Sequence, residues 1–232
     1  MRLAALLLML FTAPSWAEKP LRIAVAANFK PTLDVISRQF QDHTGIGVTL
    51  SSASTGVLAT QIQHGAPFDL FFAADREAPL TIMTRQNHQH GSAFCYALGS
   101  LALVGGRGSM SALTQADFSV AIANPATAPY GRAALDVLAR PEFEAGKNRK
   151  LVRGTNATQA YAFWHSGAVD LALLPLSIAP ASATPIPSEW HQPIAQYAIP
   201  LTRNRRVDAY LNWIRSDTVR AQITAAGYQP CP

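Results

Sequence analysis

Strand-like and helix-like segments alternate through the first third of this sequence. Leu21–Ala26 is an apolar run typical of a buried strand, and Pro31 opens a segment whose apolar residues keep helical spacing until Thr44. Gly47–Leu50 and Phe68–Phe72 are again strand-like, and a second helical pattern lies between them. This β-α-β-α-β series predicts an α/β fold whose sheets are mostly parallel, doubly wound and flanked by helices.

An apolar run from Phe94 to Gly105 is too long for a routine strand of about 5–6 residues. It therefore predicts a crossing of the chain from one lobe to another, and Gln196–Leu201 is the matching return strand. The expected organisation is a signal peptide at 1–17, lobe I at 18–97 plus 198–232, and lobe II at 98–197. Between two such lobes, at the carboxyl ends of the strands, is the expected place for a ligand.

The first 17 residues have the composition of a secretory signal peptide. Arg2 supplies the positive end, Leu3–Phe11 the apolar core, and Ser15-Trp16-Ala17 a small-x-small cleavage site. The apolar core is too short for a stable membrane-spanning helix. We expect cleavage after Ala17 and export of a soluble mature chain to the periplasm.

The balance of charges is basic but does not indicate nucleic-acid binding. The net charge is +5 and the pI is near 9.5, yet only 14% of the residues are charged and 49% are hydrophobic, as in a folded globular protein. Arg203, Arg205 and Arg206 form the densest basic cluster, and no stacking aromatic residues interleave them. We interpret the cluster as a solvated face or a docking patch.

Two cysteines remain after the signal peptide, Cys95 and Cys231. In an exported chain an even pair favours a disulfide that closes a long loop, and the alternative is a buried Cys95 with a free thiol in the tail. No Cys-x-x-Cys or His-x-x-x-His spacing is present, so a zinc-type metal site is not expected.

Four junctions share one design, in which a strand ends in a small or polar turn and a helix begins. They are Ala27-Asn28, Ser54-Thr55, Tyr130-Gly131 and Asn156-Ala157. Helix N-termini present unpaired N–H groups and the positive end of the dipole, so four convergent junctions would surround a compact anion with neutral donors. This predicts an anion site without a fixed positive charge.

Each junction also has an ordinary structural explanation. Ser54 and Asn28 could simply cap their helices, and Tyr130 could be a core aromatic residue. Asp75 is expected to cap the helix that follows it, and Asp69 to pair locally, so we do not interpret them as paired catalytic carboxylates.

Several longer segments resemble the periplasmic molybdate-binding proteins of ABC transporters. The similarity runs from about Leu21 to Tyr228 and is carried by AVAANFKPTLDVISRQF, STG-x₄-QI-x₂-GAPFDLFFAAD, IANPATAPYGRAAL, SGAVDLALLPLSIA and LNWIRSDTVRAQITAAGY. The GAPFDLFFAAD block is the most specific. The resemblance implies a two-lobed type II periplasmic binding fold and a tetrahedral oxyanion, molybdate or tungstate, as the ligand.

The resemblance also implies individual ligand residues. Asn28 stands where many members have an oxygen-binding Ser, Thr55 matches a second hydroxyl ligand with Ser54 beside it, and Tyr130 and Ala157 occupy backbone-donor positions. We expect Tyr130 to offer its hydroxyl as well. Two positions depart from the family pattern. Many members have a ligand Tyr in the segment that here contains Pro175, and Ala27 stands where a subset has Thr.

The expected function is a monomeric periplasmic solute-binding protein that delivers molybdate or tungstate to a membrane ABC permease, with no cofactor. One alternative keeps the fold but binds sulfate, phosphate or a small organic acid. Another is an exported hydrolase with Ser54 as nucleophile, for which the sequence offers no G-x-S-x-G elbow.

Overall fold

The structure, a computed structural model, describes residues 19–85 and 90–232. The predicted signal peptide and its cleavage site lie outside the described residues. In the part that is described, no helix is both long and apolar enough to cross a membrane.

Ten strands and seven α-helices follow one another along the described chain. In order they are β1 Leu21–Ala26, α1 Lys30–Thr44, β2 Val48–Ala53, α2 Thr55–Gln63, β3 Leu70–Ala73, α3 Glu77–Arg85, β4 Phe94–Gly99, β5 Leu101–Gly105, β6 Val120–Ala123, α4 Pro129–Leu138, β7 Leu151–Gly154, α5 Ala157–His165, β8 Leu171–Pro175, β9 Thr184–Pro185, β10 Ile194–Pro200, α6 Arg205–Ile214 and α7 Asp217–Ala225. The predicted strands and helices are present, with ends shifted by a few residues.

The strands form two five-stranded sheets, ordered β2-β1-β3-β10-β4 and β7-β6-β8-β5-β9. We call the first sheet with its helices lobe I and the second with its helices lobe II. Three strands in each sheet pair in parallel, and a single strand runs against the others, β10 in lobe I and β5 in lobe II. The sheets are therefore mixed, with mostly parallel strand directions as expected for an α/β fold.

Helices cover both faces of each sheet, which explains why the strands are nearly continuous apolar runs. In β1, Ile23 and Val25 pack with α1, α6 and α7, whereas Ala24 points to the opposite face, where α2 and α3 lie. In lobe II, Leu103 packs on the side of α4 and Val104 on the side of α5. The strand period of two thus assigns alternate residues to two separate cores in each lobe.

The run from Phe94 to Gly105 is two strands and not one. It breaks at Ser100, so that β4 belongs to lobe I and β5 to lobe II. Gly99 ends β4 where the Tyr130 hydroxyl approaches so closely that a Cβ on Gly99 would lie 2.1 Å from it. The run is long because it supplies one strand to each of two sheets, and the return to lobe I is made by β10.

The C-terminal tail is fastened to β4. Leu98 and Gln229 exchange backbone hydrogen bonds of 2.8 and 2.9 Å, and Cys95 forms a disulfide with Cys231 across 136 positions of sequence. Tyr228, which is 3% exposed, is buried in the core of lobe I next to this connection. The end of the chain is therefore an integral part of lobe I.

Candidate functional site

A small cavity lies between the lobes where the four predicted junctions converge. Its lining contains all six residues that the sequence nominated as ligand-binding, namely Ala27, Asn28, Ser54, Thr55, Tyr130 and Ala157, together with Ala26, Ala74, Ala128, Pro129 and Asn156. The volume of the cavity is about 10 Å³, measured as the space open to the centre of a water-sized sphere. Pockets for drug-sized molecules measure about 300–1,000 Å³, so this space suits a group of few atoms.

Three helices begin at the cavity. Thr55 is the first residue of α2, Tyr130 the second of α4 and Ala157 the first of α5, and N–H groups in a first turn have no intrahelical partner. The positive ends of three helix dipoles therefore meet at one point. Among the described lining residues no Lys, Arg, Asp, Glu or His occurs, so backbone dipoles and neutral side chains set the electrostatics of the cavity.

Ser54 is the N-cap residue of α2, but its side chain does not make the capping hydrogen bond that the ordinary explanation requires. The residue is 4% exposed, and its Oγ has no hydrogen-bond partner. Buried polar atoms without a partner are rare, because each one loses its hydration without compensation. Ser54 thus places an unused hydroxyl group in the wall of the cavity.

Thr55 is buried beside Ser54 and is held in a defined orientation. Its Oγ1 accepts a hydrogen bond of 2.9 Å from the backbone N–H of Ala74, another lining residue. A hydroxyl that accepts in this way keeps its own proton for a second partner. The Thr55 side chain can therefore donate to a ligand without breaking a contact within the protein.

Asn28 does not cap α1, whose N-cap is Phe29. Its Nδ2 donates to Gln196 Oε1 at 2.7 Å and to the Tyr228 hydroxyl at 3.2 Å, while its backbone oxygen accepts from Tyr228 at 2.9 Å and from Ser177 at 3.3 Å. The capping explanation for Asn28 is wrong, because the residue is tied into buried contacts with β10, the tail and lobe II. Its side-chain NH₂ group is already used within the protein.

Tyr130 is 3% exposed, and its hydroxyl accepts a hydrogen bond of 3.4 Å from Gln196 Nε2. Burial, and after it the neighbouring Tyr228, raise the pKa of the Tyr130 phenol well above its usual value. The phenol therefore stays protonated at physiological pH and can act as a hydrogen-bond donor. Its packing against Gly99 places the hydroxyl where the two lobes meet.

Gln196 is the residue of this region that was not anticipated from the sequence. It is completely buried on β10, a strand that otherwise presents apolar or partly exposed residues. A polar residue in the middle of an apolar strand was the available signal, because a buried amide requires partners that only the folded chain supplies.

Direct contacts connect the lobes beside the cavity. The backbone N–H of Gly56 on α2 donates to the carbonyl of Thr127 in lobe II at 2.9 Å. Arg132 on α4 forms an ion pair of 3.0 Å with Asp75, which also caps α3 as expected by accepting from the N–H of Ala78. Asp69 binds the N–H of Arg22 and the hydroxyl of Thr202, so it pairs within lobe I but not with sequence neighbours.

The basic cluster of Arg203, Arg205 and Arg206 is not part of the cavity lining and lies at the start of α6. No group of three or more His, Cys, Asp or Glu side chains suited to a metal ion occurs in the described ranges.

Residues 21–229 match the family described as bacterial extracellular solute-binding protein. Among curated proteins, the molybdate-binding protein ModA of Azotobacter vinelandii is 35% identical over 225 residues, which is 89% of this chain and 88% of that protein. ModA of Rhodobacter capsulatus is 32% identical over 220 residues, 88% of this chain and 86% of that protein. The solved structure of an Azotobacter vinelandii periplasmic molybdate-binding protein aligns with a TM-score of 0.82 at 31% identity, covering 91% of this chain and all of that one.

Proposed function

This chain belongs to the bacterial extracellular solute-binding proteins, and from that premise we propose that it captures molybdate, and also tungstate, in the cavity between its lobes. The chain is a binding protein and not an enzyme, which removes the hydrolase alternative. The observation that carries the proposal is the unpartnered Ser54 Oγ in a cavity where three helices begin.

The proposed ligand is a doubly charged tetrahedral anion held by neutral donors. The hydroxyls of Ser54, Thr55 and Tyr130, and the backbone N–H groups of Thr55, Tyr130 and Ala157, are the donors that this proposal assigns to its oxygens. Asn28 would contribute through its backbone N–H, since its side-chain NH₂ is engaged. Ala27 would line the cavity without donating, because its N–H donates to the Ala53 carbonyl at 3.0 Å.

Binding by this site would couple to closure of the lobes. Ser54 and Thr55 belong to lobe I, whereas Tyr130 and Ala157 belong to lobe II, so one anion would be contacted from both sides. An anion that contacts both lobes only when they are together stabilises that arrangement by its differential affinity. The Gly56–Thr127 and Asp75–Arg132 contacts would form in the same step.

We further propose that the mature chain is exported to the periplasm and hands its anion to a membrane permease of the ABC type. The signal-like composition of residues 1–17 and the periplasmic location named for the Azotobacter structure support this placement. The exposed surfaces of the closed lobes would form the docking face.

Sulfate and phosphate are the competing ligands, because they share the tetrahedral shape and the charge. A calorimetric titration of the purified mature chain with molybdate, tungstate, sulfate and phosphate tests the proposal directly. We expect saturable binding of molybdate and tungstate at micromolar concentration or below, and binding of the other two that is at least about a hundredfold weaker, which is about 2.7 kcal/mol. Equal or tighter binding of sulfate or phosphate would contradict the assignment.

A further inference from the structure

Gln196 carries a buried amide on β10, the strand that returns the chain to lobe I. Its exposure is 0%, and the pairing of β10 with β4 shifts register between Gln196 and Tyr197. Such an irregularity re-aims a side chain relative to a regular strand. A buried amide without partners is strongly unfavourable, so its contacts are the reason that it is tolerated.

The amide of Gln196 has a partner at each polar atom. Oε1 accepts from Asn28 Nδ2 at 2.7 Å and from the Tyr96 hydroxyl at 3.1 Å, and Nε2 donates to the Tyr130 hydroxyl at 3.4 Å. The Tyr96 hydroxyl also lies 3.0 Å from the carbonyl oxygen of Ala73. The single Tyr96 proton is shared between Ala73 and Gln196, so the Asn28 NH₂, which can only donate, is the group that requires the amide oxygen to face it. The nitrogen of the amide is then directed towards Tyr130.

These contacts join one cavity residue from each lobe. Asn28 follows β1 in lobe I, and Tyr130 lies on α4 in lobe II, and both line the cavity. Gln196 is not among the lining residues. One side chain outside the cavity therefore holds two groups that line it, and it does so across the boundary between the lobes.

We propose that Gln196 is a positioning residue for anion binding, which fixes Asn28 and Tyr130 relative to each other when the lobes are together. This inference rests on the proposed function, because it concerns the same cavity. With Gln196 in place, the Asn28 backbone and the Tyr130 hydroxyl are held ready for a ligand. Without it, the Asn28 NH₂ loses an acceptor and the Tyr130 hydroxyl loses its donor, so both residues become freer to move.

A variant that lacks the Gln196 amide tests the proposal. Gln196→Met keeps a similar length and removes both polar atoms, so we expect it to weaken molybdate binding by about tenfold to a hundredfold, the range expected for loss of buried hydrogen bonds. Ser37→Ala is the matched control, because Ser37 is also buried in lobe I and bonds the Tyr210 hydroxyl at 2.7 Å away from the cavity. The control is expected to lower the melting temperature and to leave the affinity within twofold.

Gln196→Glu adds a readout that a purely structural role would not change. The carboxylate keeps the shape and can accept from Asn28, Tyr96 and Tyr130, but it places a negative charge behind the anion. The titratable groups facing it are the phenols of Tyr96, Tyr130 and Tyr228, with Asp75 beyond Tyr96. Burial raises the pKa of these phenols, so they stay neutral between pH 5.5 and 8.5, and a pH dependence that the variant gains over the wild type in this range comes from the new carboxyl. We expect affinity to fall with rising pH in this variant and to stay level in the wild type.

The outcomes separate the two proposals. Wild-type protein that binds neither molybdate nor tungstate would overturn the proposed function. Wild-type binding together with Gln196→Met within twofold, or with Gln196→Glu within twofold of the wild type at every pH, would overturn the positioning role alone. If Gln196→Met does not fold by circular dichroism, the pH profile of Gln196→Glu decides the question.

Discussion

At the scale of single residues, the site combines groups that the protein uses itself with groups that it leaves unused. Thr55, Asn28 and Tyr130 are all bonded within the protein, whereas the Ser54 hydroxyl is buried without a partner. The bonded residues are held in place at a defined geometry. The Ser54 hydroxyl lowers the stability of the folded chain, because it is buried without a hydrogen bond. A ligand that accepts its proton would remove this loss.

Ser54→Ala should separate affinity from stability. Removal of an unsatisfied buried hydroxyl costs the free protein little, so we expect its melting temperature to stay the same or to rise slightly. Affinity for molybdate should fall by about tenfold or more, since a hydrogen bond to a charged group contributes about 1.5–3 kcal/mol. Thermal denaturation without ligand and calorimetric titration measure the two effects. A clear loss of stability without ligand would show that Ser54 has a structural partner.

Tyr130→Phe tests whether the phenol itself binds the anion. The substitution keeps the backbone N–H of Tyr130 and removes the hydroxyl that contacts Gln196. We expect affinity to fall by about tenfold, and the same titration measures it. Unchanged affinity would restrict the contribution of Tyr130 to its backbone.

The sequence was sufficient to nominate the cavity residues but not their internal partners. Asn28, Thr55 and Tyr130 stand at strand-to-helix junctions that a strand and helix pattern can locate. The contacts of Asn28 with Gln196 and Tyr228, and of Tyr130 with Gln196, join positions 168, 200 and 66 residues apart, and no local pattern encodes such pairs. The engagement of the Asn28 NH₂ group, which changes its expected role, followed only from the fold.

At the scale of elements, helix α2 contacts the opposite lobe at its first turn. Gly56, its second residue, donates to the Thr127 carbonyl, and a Cβ on Gly56 would lie 3.2 Å from the backbone of Thr127. A glycine at this place therefore permits the close approach of the two lobes.

Gly56→Ala should stabilise the helix and oppose closure. Alanine is favoured over glycine within a helix by about 0.5–1 kcal/mol, so the free protein should not lose stability. The added methyl group must displace Thr127, and we expect molybdate to bind several-fold more weakly and to dissociate faster, as measured by stopped-flow fluorescence. Gln61→Ala, on the exposed side of the same helix, is the control. Equal affinity in Gly56→Ala would show that the approach of the lobes tolerates the methyl group.

The disulfide between β4 and the tail should contribute to stability through the unfolded chain. It closes a loop of 136 positions, for which chain-entropy reasoning gives up to about 5 kcal/mol. A Cys95→Ser, Cys231→Ser double variant should therefore unfold at a lower urea concentration than the wild type. Reduction of the wild type should reproduce the shift. Coincident unfolding curves for oxidised and reduced protein would contradict this expectation.

Element boundaries show where local patterns were insufficient. The period of apolar residues located helices α1 and α2, but it could not divide the run of Phe94–Gly105, because both halves are strands of similar apolar composition. Only the pairing of β4 with β10 and of β5 with β8 assigns them to different sheets. Assignment to a sheet is a long-range property.

At the scale of the whole molecule, four buried tyrosines make the free energy of unfolding depend on pH in the alkaline range. Burial is the main cause that raises the pKa of the phenols of Tyr96, Tyr130, Tyr210 and Tyr228 above the usual value of 10.0. Above pH 10 the unfolded chain loses these protons while the folded chain retains them, so the unfolded state binds fewer protons and the free energy of unfolding falls.

We therefore expect these four phenols to have no effect on the free energy of unfolding below about pH 9.5 and to lower it above pH 10. Urea denaturation at closely spaced pH values measures the slope. Tyr210→Phe should make the slope shallower, and because Tyr210 lies in the core of lobe I it should do so without affecting anion binding. A free energy of unfolding that rises between pH 10 and 11 would contradict the assignment.

The order of strands also has a consequence for how the chain folds after synthesis. Every strand of lobe II lies between Leu101 and Pro185, in one continuous piece, whereas lobe I needs β10, α6, α7 and the tail from the end of the chain. Since domains generally fold as units, lobe II can fold as soon as its piece is free, and lobe I must wait for the last residues. Until then the apolar faces of β1 and β3 lack their C-terminal partners. This interval is when the chain is most exposed to aggregation and to proteases.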